Sequence, residues 1–149
     1  MARAQCAWTP SLTALLKAGR ARAHDAPVGI SAGGQDIRDR AFDFGCHTAR
    51  LARDIGRDPG LRSISDQLLK SATGIGANLE EAKAASSRRE FVRYVDIALR
   101  EAREAVYWLR VCAKMGLSAS PRVQELRDEG QQIARILGAI AVNARRPAR

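Results

Sequence analysis

The run Ser71-Ala-Thr-Gly-Ile-Gly-Ala-Asn78, carried on through Glu101-Ala-Arg-Glu-Ala-Val-Tyr-Trp-Leu-Arg110, is the strongest signal of architecture in this chain. Its apolar and small residues return every 3.5 positions on average, the spacing of helices that keep one seam against their neighbours. Phe91, Val95, Ala98, Ala102, Ala105, Leu109 and Cys112 alternate by four and three, flanked at intervals of seven by Val92, Leu99, Val106 and Ala113. This predicts a helix from Arg88 to Met115, about 40 Å long at about 1.5 Å per residue. Ser86 or Ser87 can cap it, with Glu90 placed three residues after Ser87 as in a capping box.

The same period extends in both directions. Upstream, Leu61, Ile64, Leu68, Ala72, Ile75, Leu79 and Ala82 form one stripe, and Ile37, Ala41, Phe44, Thr48, Leu51 and Ile55 another. Asp36 suits an N-cap, and Gly56-Arg-Asp-Pro-Gly60 is a stop. Downstream, the loop Gly116 to Ser120 leads to Pro121, which fits a first helical turn, and then to Val123, Leu126, Gly130, Ile133, Leu137 and Ile140. Four amphipathic helices with short links predict an all-α, antiparallel up-down-up-down four-helix bundle, left-handed in its supercoil. Residues 36–142 form the bundle. Residues 1–35, rich in Gly and Pro, read as a disordered or loosely attached tail, and 143–149 as a basic C-terminal tail.

Two glycines inside a helix are a liability of roughly 1 kcal/mol each. Close helix approach through a motif of Ser71, Gly74, Gly76, Ala77 and Asn78 is the expected offset. Asn78 reads as a satisfied helix–helix hydrogen bond, with ligand contact as the alternative.

Composition narrows the function classes. The 149 residues carry a formal charge of +9, of which +3 lies in residues 1–35 and +6 in residues 36–149. A basic excess within the folded part points to a polyanionic partner, set against a merely solubilising surface. No run approaches the roughly 18 apolar residues that a membrane span requires. Three cysteines without a CxxC or metal spacing read as reduced thiols, which makes the cytoplasm the expected location.

Catalytic constellations are lacking. A carboxylate-bridged di-metal centre needs Glu-x-x-His on two helices, and neither His24 nor His47 follows a glutamate by three. Gly74-Ile-Gly76 sits in a helical period without the strand or the Gly-Lys-Ser/Thr of a phosphate loop. Cys46 and His47 are adjacent on a helix and point apart, while Cys112 falls on the core stripe. No enzyme, metal or cofactor is expected.

Charge is left over on the longest helix. Arg89, Arg93, Asp96, Arg100, Arg103, Tyr107, Arg110 and Lys114 line the face opposite its seam, with Glu90, Glu101 and Glu104 displaced to the flanks. Like charges at i,i+4 destabilise a helix by a few tenths of a kcal/mol, so helix stability alone does not select this face. Arg89, Arg93, Arg100, Arg103, Arg110 and Lys114 form a candidate phosphate track, with Tyr107 available to stack on an unpaired base. The competing reading is a solvated face partly neutralised by the flanking glutamates. Phe42, Tyr94 and Trp108 fall outside the inward stripes and are read as exposed aromatics of a subunit interface.

Gln67-Leu-Leu-Lys-Ser-Ala-Thr-Gly-Ile-Gly-Ala-Asn-Leu-Glu-Glu-Ala82, Ser87-Arg-Arg-Glu-Phe91, Ile97-Ala-Leu-Arg-Glu-Ala-Arg-Glu104 and Tyr107-Trp-Leu109 resemble the four-helix bundle proteins encoded in intervening sequences of bacterial 23S rRNA genes. The resemblance covers roughly residues 36–142. Gly74 stands where the motif usually has Ser. The resemblance implies a ring-shaped homopentamer with a central channel and no established enzymatic activity. It also implies kinship with the accessory variability proteins of diversity-generating retroelements, which bind nucleic acid and a reverse transcriptase. The Ser71–Asn78 motif maps to helix packing. The expected function is a non-enzymatic, oligomeric nucleic-acid-binding bundle, with RNA preferred over DNA. The alternative is a protein-interaction scaffold, for example an accessory subunit of a reverse transcriptase or another nucleoprotein complex.

Overall fold

The computed structural model describes residues 31–32, 35–117 and 121–146. The predicted tail lies outside the described residues except for Ser31, Ala32 and Gln35, and the predicted C-terminal tail does so from Pro147 onward. Four helices carry the fold: α1, Ile37–Ile55; α2, Arg62–Ala84; α3, Arg88–Lys114; and α4, Arg122–Arg145. They make a four-helix bundle in which each helix packs along the next in sequence, and α4 closes back on α1 with a thinner seam.

Local chemistry explains the ends. The Asp36 carboxylate accepts from the Arg38 backbone N–H (3.0 Å), the predicted N-cap. Ser87 caps α3 by accepting from the Glu90 N–H (3.2 Å), and the Glu90 carboxylate accepts from the Ser86 N–H (2.8 Å). The capping box therefore closes one residue further out than the standard pairing. At the other end of α3, Gly116 takes φ +65°. Its N–H bonds the Ala113 carbonyl (3.2 Å) while the Leu117 N–H reaches Cys112 (3.1 Å), a Schellman ending that a glycine fits without Cβ strain.

The inward stripes meet as expected. Phe44, Leu68, Ile75, Leu79, Leu109, Ile133 and Leu137 are the largest apolar side chains of the dry interior, threaded by Ala98, Ala102 and Ala105. A smaller cluster of Ala82, Val95 and Ala141 extends the core toward the α3 N-terminus.

Three features depart from the sequence reading. Ser31–Ala32 pairs antiparallel with Gln35–Asp36 just before α1, a short ladder inside the segment read as a tail. The last helix runs through Arg145, three residues beyond the predicted bundle edge. Ala144 is buried, its carbonyl accepts from Arg88 Nε (2.5 Å), and Arg145 pairs with Asp96, so this last turn is docked on α3. The packing motif also divides. Ser71 is buried, but its hydroxyl bonds the Gln67 carbonyl of its own helix (2.8 Å), and Asn78 likewise donates to Gly74 O (2.7 Å), not to another helix. A Cβ on Gly74 would press on the Glu101 carboxylate (3.1 Å), whereas one on Gly76 would come no nearer than 3.8 Å to the α1 backbone. Ala77 is exposed. Close approach thus accounts for Gly74 only against a side chain and does not require Gly76.

Candidate nucleic-acid interface

Because the seam of α3 is buried between α2 and α4, its opposite face must look outward. Arg89, Arg93, Arg100, Arg103, Arg110 and Lys114 are all exposed, and Tyr107 is 54% exposed. From Arg89 to Lys114 the strip spans about 38 Å at about 1.5 Å per residue, close to one turn of nucleic-acid duplex.

The electrostatics of the strip follow from where its neighbouring carboxylates go. Asp96, the one acid on the face, is held by Arg145 of α4 (Oδ1 at 2.6 Å). Glu90 turns back to Ser86, whose N–H and hydroxyl hold its carboxyl below the ordinary value. Glu104 accepts from the Trp108 indole N–H (3.3 Å). Glu101 lies over Gly74, where burial raises its pKa and nearby Glu104 adds to the effect. Among the described residues, no ion pair joins any of the six strip cations to a carboxylate. Each flanking glutamate has a hydrogen-bond or packing partner off the strip, while Glu90 also feels the Arg93 charge, so the flanks neutralise the face only in part.

The aromatics are less exposed than the sequence reading had them. Phe42 is 68% exposed, but Tyr94 and Trp108 are half-buried, packed against the small and the main core clusters respectively. The physical reason is that residues just off a helix seam still reach the core edge when they are as large as Tyr or Trp. The Trp108 ring meets Tyr107 edge-on, with centroids 5.1 Å apart. Phe42 stands on α1 beside a groove of about 410 Å³ between α1 and α2, lined in part by Gly45, Ala49, Gly76 and Ala77. The three aromatics therefore do not form one exposed edge.

A family model for 23S rRNA-intervening sequence proteins matches residues 35–139. The chain belongs to that family. The 23S rRNA-intervening sequence match begins at the residue before the α1 cap and covers all four helices except the last six residues of α4. A crystal structure of a protein of unknown function from the S23 ribosomal protein family of Bacteroides thetaiotaomicron superposes with a TM-score of 0.67. It is 28% identical and aligns over 70% of this chain and 97% of its own. No curated protein matches the chain.

Two groups escaped the sequence reading. Arg40 on α1 and Glu129 on α4 form a buried ion pair, with Arg40 Nη2 also donating to Gln132 Oε1 (2.7 Å). It ties the thin α1–α4 seam. Arg127 of α4 comes alongside the end of the α3 strip, where it helps to line a surface pocket with Tyr107, Arg110 and Lys114. Its position beside Leu126 on the α4 stripe was the available signal. Cys112 is buried and its thiol pKa is raised by desolvation, while Cys46 is exposed and free. Among the described residues no group of three or more His, Cys, Asp or Glu can hold a metal ion, and no helix is long and apolar enough to cross a membrane.

Proposed function

We propose that this protein is a non-enzymatic, cytoplasmic, self-associating bundle that binds nucleic acid through the outer face of α3. The observation that carries the reading is a straight row of six exposed cations without carboxylate partners among the described residues. Phosphate oxygens arrayed along a backbone are the natural complement to such a row. The family's association with an rRNA intervening sequence favours RNA over DNA. Contact with phosphates and no helix inserted in a groove makes recognition shape-based and weak in sequence preference.

Self-association, as the five-membered ring that the family resemblance implies, is supported by exposed Phe42 at the rim of the α1–α2 groove. Repeating the α3 strip in several subunits would multiply affinity without new contacts.

Fluorescence anisotropy of nuclease-treated protein with structured RNA and with DNA duplex tests this directly. Six neutralised phosphates should cost affinity about a thousandfold between about 50 and 200 mM salt. Reversing Arg93, Arg100 and Arg110 to Glu should abolish binding at the lower salt while leaving the circular-dichroism melt intact, since all three are exposed. Unchanged affinity in the folded triple variant would reject the strip. The same cations would also suit an acidic protein, such as a subunit of a reverse-transcriptase complex, and a complex that persists after nuclease treatment would favour that scaffold role.

A further inference from the structure

The strip ends beside an open depression in the surface. At its Lys114 end, Tyr107, Arg110 and Lys114 of α3 meet Arg127 of α4 around a pocket of about 670 Å³ whose apolar lining includes Val111 and Met115. That volume is in the range of sites that hold a small molecule or one nucleotide. We propose that this pocket is a subsite for a single unpaired nucleotide, with its base against Tyr107 and its flanking phosphates on Arg110, Lys114 and Arg127. The proposal rests on the nucleic-acid reading of the strip and specifies which part of an RNA the strip's end selects.

The chemistry of the lining separates this place from the rest of the strip. Elsewhere the face offers cations and the paired Asp96, with no apolar surface, and a duplex backbone satisfies the cations. Here an aromatic ring and apolar side chains join three cations, and a duplex has nothing apolar to offer them because its base faces are already stacked. An extrahelical base supplies an apolar π-face and carries a phosphate on each side. The Tyr107 ring is held for this purpose: its edge-on contact with Trp108 sets the ring plane, and Trp108 is anchored by its indole N–H on Glu104. Arg127 brings a cation from a second helix, so the phosphates on the two sides of the base meet charge from different directions. Among the described residues the one ion pair of Arg127 is its 3.8 Å contact with Asp128, an exposed neighbour in sequence, which offsets its charge only weakly.

The test compares a blunt RNA duplex with the same duplex carrying one bulged nucleotide, each end-labelled and titrated with wild-type, Tyr107→Ala, Tyr107→Phe and Arg127→Gln protein. The bulged duplex should bind about tenfold tighter than the blunt one, in line with the worth of one base–aromatic stack. Tyr107→Ala should remove that preference, whereas Tyr107→Phe should keep it. Arg127→Gln should reduce the preference, and its melting curve shows whether the fold is intact. Equal binding of bulged and blunt duplex by wild type, or a preference that survives Tyr107→Ala, overturns the subsite while the strip stands. Binding of neither RNA overturns both the subsite and the nucleic-acid reading.

Discussion

Single residues show where helix propensity and packing disagree. Gly130 lies in the core stripe of α4, and a Cβ there would come within 2.9 Å of Val106 Cγ2 and 3.3 Å of the Phe44 ring. Both neighbours are stiff, one β-branched and one aromatic, so neither yields easily. Gly130→Ala should therefore lower stability by about 1 kcal/mol, the overpacking strain exceeding the helix-propensity gain. Gly76→Ala has the opposite sign, because its Cβ would meet nothing nearer than 3.8 Å. It should raise stability by about 0.5–1 kcal/mol in dilute protein. Urea denaturation of the two variants side by side checks the contrast. Thr48 is a third case: it is fully buried and its hydroxyl has no hydrogen-bond partner. Thr48→Val should stabilise the fold by about 1 kcal/mol, and a loss of stability would mean that the hydroxyl is satisfied after all.

At the scale of an element, α3 shows how much local chemistry a single helix needs to span the molecule. Its start rests on Ser87 and Glu90 and its end on Gly116, three positions that are recognisable from residue type and spacing alone. Ser87→Ala should cost about 1 kcal/mol of stability. The pH dependence of this cap has a defined sign. Hydrogen bonds from Ser86 hold the Glu90 carboxyl below its ordinary value of 4.5, so its contribution is complete above that value and is lost as the pH falls through the lowered one. Glu90→Gln should accordingly flatten the acid limb of a stability–pH curve below about pH 4.5, with little change in its neutral plateau beyond the cap itself. Glu101 acts in the other direction: its raised pKa means that the folded state gains as this carboxyl takes up a proton.

The outer face of α3 was also legible as an element. The alternation by four and three that buries Val95, Ala98 and Ala102 sends Arg93, Arg100 and Arg103 to the opposite side, whatever the neighbours are. The aromatics were less so. A helical wheel places Tyr94 and Trp108 off the seam, but only the separation of the packed helices tells how far the core edge extends, and both rings reach it.

The whole molecule is held closed by contacts between residues far apart in the chain. Arg40 and Glu129 are 89 positions apart, and their pair bridges the seam where the first and last helices touch least. Arg40→Ala should destabilise by about 3–5 kcal/mol, because Glu129, with a side chain only 5% exposed, is left as an uncompensated buried charge. Replacing both residues with Met and Leu should recover most of that loss, and a double-mutant cycle in urea measures it. The Arg145–Asp96 pair works at the same scale with a different consequence. By pairing with the single acid of the α3 face, the end of α4 offsets the one negative charge within the cationic row.

The four helices, their inward stripes, the caps of α1 and α3 and the cationic outer row could all be read from the order of residues. These follow from periodicity and from interactions that reach no further than a few residues. The packed bundle was needed to show that Asp96 is neutralised from α4, that Arg127 joins Tyr107 at one pocket, that Arg40 meets Glu129, and that Gly130 rather than Gly76 is the glycine the packing requires. Each of these depends on how one helix is rotated and shifted against another, and that setting is the summed outcome of many side-chain contacts across the bundle, which no single stretch of sequence contains.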